Sequence, residues 1–222
     1  MPGYATRIQD VTVHGDAWRL RVLADNQQYA DPEGDAERAG ISSAQWPLFG
    51  QPWPSGQRLA EAMHGHCVDG KRILELGCGI GLASLVLQRR GADVVASDMH
   101  PLAESFLAYN AALNGLPAVH FRRIDWTRHC ATLGRFDLII ASDVMYERGH
   151  ADVLAATIAR YAHDTAEIVV VDPRRGHAPH FLRALATQGF VAPPSGPAAA
   201  RAPGLTLSMS RGHTRPRETP AT

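Results

Sequence analysis

Lys71-Arg72-Ile73-Leu74-Glu75-Leu76-Gly77-Cys78-Gly79-Ile80-Gly81 runs from an apolar strand ending on an acid into a turn with glycine at alternate positions. Leu82-Ala83-Ser84-Leu85-Val86-Leu87-Gln88-Arg89-Arg90 then reads as a helix, closed by Gly91. Glycine has no Cβ and tolerates positive φ, so such a turn can bend sharply and admit a ligand close to the backbone. In an open parallel sheet, the carboxyl end of the strands is where ligands bind.

The pattern repeats downstream. Val94-Val95-Ala96-Ser97-Asp98 is a second strand, and Leu102 to Asn114 a second helix that stops at Gly115. Strand-like runs follow at 119–125, 136–142 and 167–172, with helical runs at 150–162 and 178–188. Strands alternating with helices imply right-handed βαβ units and an α/β fold with a doubly wound, mostly parallel sheet of seven strands. Gly189 to Ala192 and Leu205 to Ser210 have no helix between them, only the Pro/Ala/Gly-rich stretch 193–204. They predict a hairpin that adds an antiparallel edge strand.

Upstream, Thr6 to Val13 and Trp18 to Leu23 alternate around His14-Gly15-Asp16-Ala17, a hairpin pattern. Residues 24–44, with Asp31-Pro32-Glu33-Gly34, read as a loop. Trp46-Pro47-Leu48-Phe49-Gly50-Gln51-Pro52-Trp53-Pro54-Ser55-Gly56 leads into a helix from about Gln57 to Gly65. The division expected is an N-terminal hairpin and loop extension at 1–44, the main α/β domain at 45–210 and a flexible tail at 211–222. The hairpin and helix are expected to cover the ligand-binding edge.

The 222 residues carry 22 basic and 22 acidic side chains, which offers no concentrated positive charge for a nucleic-acid backbone. No apolar run approaches the ~20 residues needed to span a bilayer, and Met1-Pro2-Gly3-Tyr4 lacks the pattern of a signal peptide. Cys67, Cys78 and Cys130 make a poor disulfide framework and fit a reducing compartment, so the expected location is cytoplasmic. His64-Gly65-His66-Cys67 has no second ligand cluster at zinc-like spacing, and no metal is expected.

Two ligand classes compete for the glycine turn. The dinucleotide fingerprint is Gly-x-Gly-x-x-Gly, whereas here the spacing is Gly-x-Gly-x-Gly, with Leu82 where the last glycine would stand. Glu75 would repel a diphosphate and suits a cation. Asp98 is placed to accept hydrogen bonds from ribose hydroxyls. A ribose and a cation without phosphate describe S-adenosyl-L-methionine.

Glu75 to Gly81 resembles motif I of the class I (seven-β-strand) S-adenosylmethionine-dependent methyltransferases, whose fold is Rossmann-like. Trp53-Pro54-Ser55-Gly56, Asp125-Trp126 and Asp143-Val144-Met145-Tyr146 are similar to motifs of methyltransferase family 16. That group holds protein lysine methyltransferases, including those acting on electron-transfer flavoprotein β, and relatives labelled nicotinamide N-methyltransferase-like. Asp172-Pro173-Arg174-Arg175 is similar to a segment of the flavoprotein-directed branch. The resemblance covers about residues 45–192. It departs at Pro47-Leu48-Phe49-Gly50, where relatives carry Phe/Tyr-Trp-Ala.

The resemblance implies that Glu75, Gly77, Gly79 and Gly81 shape the site for the methionine and ribose parts of the cofactor. Asp98 would bind the ribose and Asp125 the adenine amine, with Trp126 and Met99 packing on the ring. Trp53 would line the methionine end. Asp143 follows an apolar strand and so shares the sheet edge of the glycine turn. It would contact cofactor or acceptor, orient an incoming amine and favour loss of its proton. Tyr146 would complete that rim, its ring attracting the cation formed by methylation. Glu147, Arg174 and Arg175 stand nearby as acceptor contacts or as solvated charge.

The expected reaction is methyl transfer to a nitrogen acceptor, a protein lysine side chain first and a small-molecule amine second. A nicotinamide-dependent oxidoreductase and a cofactor-binding module without catalysis remain as rivals.

Overall fold

The computed structural model describes residues 3–147, 149–174, 176–191 and 205–211. The connection 193–204, the tail beyond 211, and Arg175 lie outside them. β1 (Thr6–Val13) and β2 (Asp16–Leu23) form an antiparallel hairpin. Next come the short α1 (Asp35–Arg38), a 3-10 turn (Trp46–Gly50) and α2 (Pro54–Gly65). β3 (Arg72–Leu76), α3 (Leu82–Arg89), β4 (Asp93–Asp98), α4 (Ala103–Leu113) and β5 (His120–Arg123) follow. The chain continues through β6 (Phe136–Ser142), α5 (His150–Tyr161), β7 (Ala162–Asp172), α6 (Ala178–Thr187), β8 (Phe190–Val191) and β9 (Leu205–Arg211).

The main sheet has seven strands in the order β5-β4-β3-β6-β7-β9-β8. The five strands β3 to β7 pair in parallel, and β9 is antiparallel to both its neighbours. Chain order reverses at β3, which opens a crevice at the strand ends between β3 and β6. Because side chains alternate across a strand, β3 serves both layers. Ile73 packs with Leu138, Ile140, Val169 and Val171 under α2, α3 and α4, and Leu74 and Leu76 pack with Ile139, Ala141, Ile168 and Val170 under α5 and α6.

Several expectations need correction. The antiparallel strand is not the edge: β9 inserts between β7 and β8, leaving the two-residue β8 outermost. β7 begins five residues before the expected Glu167. Ala162 pairs with Phe136, and the register slips before Leu138 meets Glu167. His163-Asp164-Thr165 carry no apolar alternation, so this pairing is imposed by the neighbouring strand. α2 starts at Pro54 rather than Gln57, because proline's fixed φ suits a first helical position. Within the expected loop, Asp31 accepts the backbone N–H groups of Ala36 (3.0 Å) and Glu37 (2.9 Å) and so holds the turn of α1.

The hairpin lies on α2 and α4, where Val13, Trp18, Leu20 and Val22 are buried. Asn110 of α4 and Asn114, which caps its end, act as a partner for the β2 backbone. Asn110 accepts the N–H of Arg21 at 2.6 Å, and Asn114 accepts the N–H of Arg19 at 3.0 Å while donating to its carbonyl at 2.7 Å.

Candidate active site

The carboxyl ends of β3, β4, β5 and β6 enclose a cavity of about 590 Å³. The glycine turn supplies Glu75, Gly77 and Gly79; β4 supplies Asp98 and, just after it, Met99. The β5–β6 connection brings Asp125 and Trp126, and the end of β6 brings Asp143 and Tyr146. The remaining wall is a strap of residues from 40 to 57, including Gln45, Phe49 and Trp53. No hairpin residue lines the cavity, so it is this strap, and not the hairpin, that covers the strand ends.

The structure therefore brings together every expected site residue but one. Gly81 stands outside the lining. A Cβ there would run into Leu107 Cδ1 on α4, so this glycine serves the packing of α3. The other two glycines admit protein as much as ligand. At Gly79, with φ 55°, a Cβ would come within 2.7 Å of the Phe49 carbonyl oxygen. At Gly77 it would come within 2.6 Å of Val144 Cγ1. The strap and the β6 end thus close directly onto the glycine turn.

Glu75 is 3% exposed. Its Oε2 accepts the backbone N–H of Ser84 at 3.0 Å and also the Ser84 hydroxyl. Gly81 provides no side chain to cap α3, so Glu75 caps it from a neighbouring strand. Burial pushes the Glu75 carboxyl up to about 7, against the Ser84 hydrogen bonds, with the nearby Asp98 charge adding to the rise. A ligand cation beside it would stabilise its charged form.

Asp98 uses both oxygens on backbone: Oδ2 accepts the Gly79 N–H at 2.8 Å and Oδ1 the His100 N–H at 2.9 Å. Burial raises its pKa despite these bonds. Asp125 Oδ1 accepts the N–H (2.8 Å) and hydroxyl (2.6 Å) of Thr127, which fixes the turn that carries Trp126. Trp53, at the start of α2, donates its indole N–H to the Leu48 carbonyl at 2.7 Å. Asp143 adopts a left-handed φ of 53°, which aspartate tolerates better than most residues. Its N–H donates to Val171 at 3.0 Å. Tyr146 is 41% exposed at the rim. Partial burial, with the carboxylates of Asp98, Glu147 and Asp143, pushes its phenol up to about 12.

Two histidines of the wall went unassigned in the sequence. The His100 ring stacks on Phe49 at 3.7 Å, and Nδ1 accepts the Leu102 N–H at 3.2 Å. Burial, aided by Arg123, pushes its pKa down to about 3, so the ring is neutral. His150, the first residue of α5, lies with its ring 4.8 Å from that of Tyr146. Its Nε2 is 3.4 Å from Glu147 Oε2. The spacing Glu147-x-x-His150 was the signal available for this pair. Arg174 does not line the cavity.

Charge sums simply. Glu75, Asp98, Asp125, Asp143 and Glu147 line the cavity, and among the described residues no lysine or arginine does. A wall of this kind fits a cation and repels phosphate. S-adenosylmethionine, a sulfonium with a ribose and no phosphate, suits that donor set.

Residues 50–188 match the family model for lysine methyltransferases. The chain belongs to that lysine methyltransferase family. It is 32% identical over 146 residues to the electron transfer flavoprotein beta subunit lysine methyltransferase of Mus musculus, a match over 63% of this chain and 55% of the relative. To the calmodulin-lysine N-methyltransferase of Arabidopsis thaliana it is 31% identical over 136 residues, covering 56% of this chain and 45% of the other. The chain spans about half the length of these curated lysine methyltransferases. The crystal structure of ribosomal protein L11 methylase from Lactobacillus delbrueckii shares the fold of this family member. Its TM-score is 0.59 at 20% identity, over 72% of this chain and 79% of that one.

Proposed function

We propose that this lysine methyltransferase family member transfers a methyl group from S-adenosylmethionine to the side-chain nitrogen of a protein lysine. The observation that carries the reading is the wall of five carboxyl residues without a described lysine or arginine. Both ligands of such a reaction are cations, the sulfonium and the lysine ammonium. The names of the mouse and plant relatives, both protein lysine methyltransferases, support the choice of acceptor. A nicotinamide dinucleotide would bring a diphosphate against Glu75 and Asp98. The exposed thiol of Cys67 suits a reducing, cytoplasmic setting, which is part of the same proposal.

In this reading Gly77 and Gly79 hold the methionine and ribose parts, Asp98 accepts from ribose hydroxyls, and Asp125 accepts from the adenine amine between Met99 and Trp126. S-adenosylmethionine, when bound, supplies an electrophilic methyl whose C–S bond breaks as the N–C bond forms, the electron pair passing to sulphur. The chain's part is positioning and exclusion of water. Trp53 and the strap shield the methionine end. Asp143 and Tyr146 orient the acceptor nitrogen at the rim, and the Tyr146 ring stabilises its growing positive charge.

Incubation with labelled S-adenosylmethionine and a cell lysate, followed by mass spectrometry, tests the proposal. Label recovered as methyllysine in protein is expected. Label confined to small molecules, or none at all, would overturn the choice of acceptor or the activity itself.

A further inference from the structure

An acceptor lysine arrives as an ammonium and must lose a proton before its nitrogen can attack. The loop between β6 and α5 holds a receiver for it. His150 Nδ1 lies 3.2 Å from the carbonyl oxygen of Val144, which can only accept, so Nδ1 carries the ring hydrogen. In its neutral form the ring presents a bare lone pair at Nε2, 3.4 Å from Glu147 Oε2, which also offers only lone pairs. Glu147 is held in place across the cavity, because Gln45 of the strap donates its amide to Oε1. In that form two acceptors face each other with no donor between them among the described residues, and both line the cavity beside Tyr146. A cationic N–H donor is what completes such a pair.

We propose that His150, backed by Glu147, receives the proton shed by the acceptor ammonium, an inference that rests on the lysine reading above. The N–H bond of the ammonium breaks and its electron pair stays on nitrogen. The proton bonds to Nε2, and the resulting imidazolium donates Nε2–H to Glu147 Oε2. Imidazole is the side chain that exchanges protons near neutrality, whereas an ordinary carboxylate is too weak a base to hold an ammonium's proton. Glu147 on its own loop, Asp143 at the end of β6 and Asp125 on the β5–β6 connection line the same cavity as His150, so the proton is received among carboxylates. Asp152 of α5 is already paired with His180 of α6 at 2.8 Å.

Two readouts test this. The first is NMR of the imidazole C–H signals of the whole protein without cofactor, with n-butylamine as a probe for the lysine side chain. The His150 signal, identified by its loss in His150→Gln, should shift on adding the amine and shift less in Glu147→Gln. The second is the pH profile of methyllysine formation in a lysate protein pool from labelled S-adenosylmethionine. His150→Gln should lose about 100-fold in rate near pH 7, recover toward about pH 10 where the amine sheds its proton unaided, and regain rate with added imidazole. Glu147→Gln should move the profile in the same direction, and it decides the matter if His150→Gln does not fold. Variant profiles parallel to wild type, no imidazole rescue and a histidine signal indifferent to the amine would overturn the inference. A wild type that forms no methyllysine would instead sink the lysine reading, and the amine titration would still decide whether the pair binds an ammonium.

Discussion

The carboxylate of Glu75, on β3, accepts the backbone N–H of Ser84 at 3.0 Å in the first turn of α3. One side chain therefore joins the central strand, the helix cap and the cavity wall. Its charge is costly in the ligand-free protein and useful once a cation is bound.

That dual position has a pH consequence. The Glu75 carboxyl sits at about 7 in the folded protein against an ordinary 4.5, so folding favours its protonated form. Its contribution to stability is fully present below about 4.5 and is lost as the pH rises through about 7, a penalty of roughly 3 kcal/mol at most. Glu75→Gln keeps an oxygen for Ser84 and removes the charge. Thermal melts across this range should show the variant gaining on wild type as pH rises, while calorimetry shows weaker S-adenosylmethionine binding. A constant stability difference, or unchanged affinity, would remove the charge from the account.

Gly79→Val places a branched side chain 2.7 Å from a backbone carbonyl that cannot rotate away, at a φ of 55°. A loss of about 2–4 kcal/mol in denaturant unfolding is expected, with cofactor binding abolished. A variant of wild-type stability would mean that Phe49 and the strap do not lie against the glycine turn.

Asp98 is a structural acceptor as well as a candidate ribose ligand. Its position after a strand suggests that Asp98→Ala would weaken binding and spare the fold. The hydrogen bonds correct this: the Gly79 and His100 N–H groups would both lose their partner. Unfolding should show a cost of about 1–3 kcal/mol for each of the two donors that stays unsatisfied, together with the loss of affinity. Weaker binding at full stability would assign Asp98 to the ligand alone.

Tyr146 keeps its proton throughout the physiological range, since its phenol is pushed up to about 12. Its ring, not a phenolate, is then what acts on the acceptor. Steady-state rates should fall less than about tenfold for Tyr146→Phe and clearly further for Tyr146→Ala, in line with a ring–cation contribution of about 1–2 kcal/mol. A Phe variant as impaired as the Ala variant would transfer the role to the hydroxyl.

Much of this site was legible because it is local. The strand–glycine–helix order at 71–90 has its period and turn chemistry in adjacent residues, and Asp98 and Asp143 each end or follow an apolar run, which places both at one sheet edge. Asp125, by contrast, follows His120-Phe121-Arg122-Arg123-Ile124 and is marked by the family resemblance. What the sequence withheld depends on distant partners. Gly79 reads as room for a ligand, yet the Phe49 carbonyl, thirty positions earlier, occupies the approach. Asn110 and Asn114 look like ordinary helix residues until β2 lies beside them. Nor does a short antiparallel pair reveal which of β8 and β9 meets β7, because either could offer its edge.

The central claim is that the cavity wall selects a cation and rejects a diphosphate. Calorimetric titration of the wild-type protein with S-adenosylmethionine and, separately, with NAD tests it most directly. Two or three kcal/mol of charge discrimination corresponds to binding of S-adenosylmethionine about 100-fold tighter than NAD. Equal affinity, or tighter binding of NAD, would contradict it.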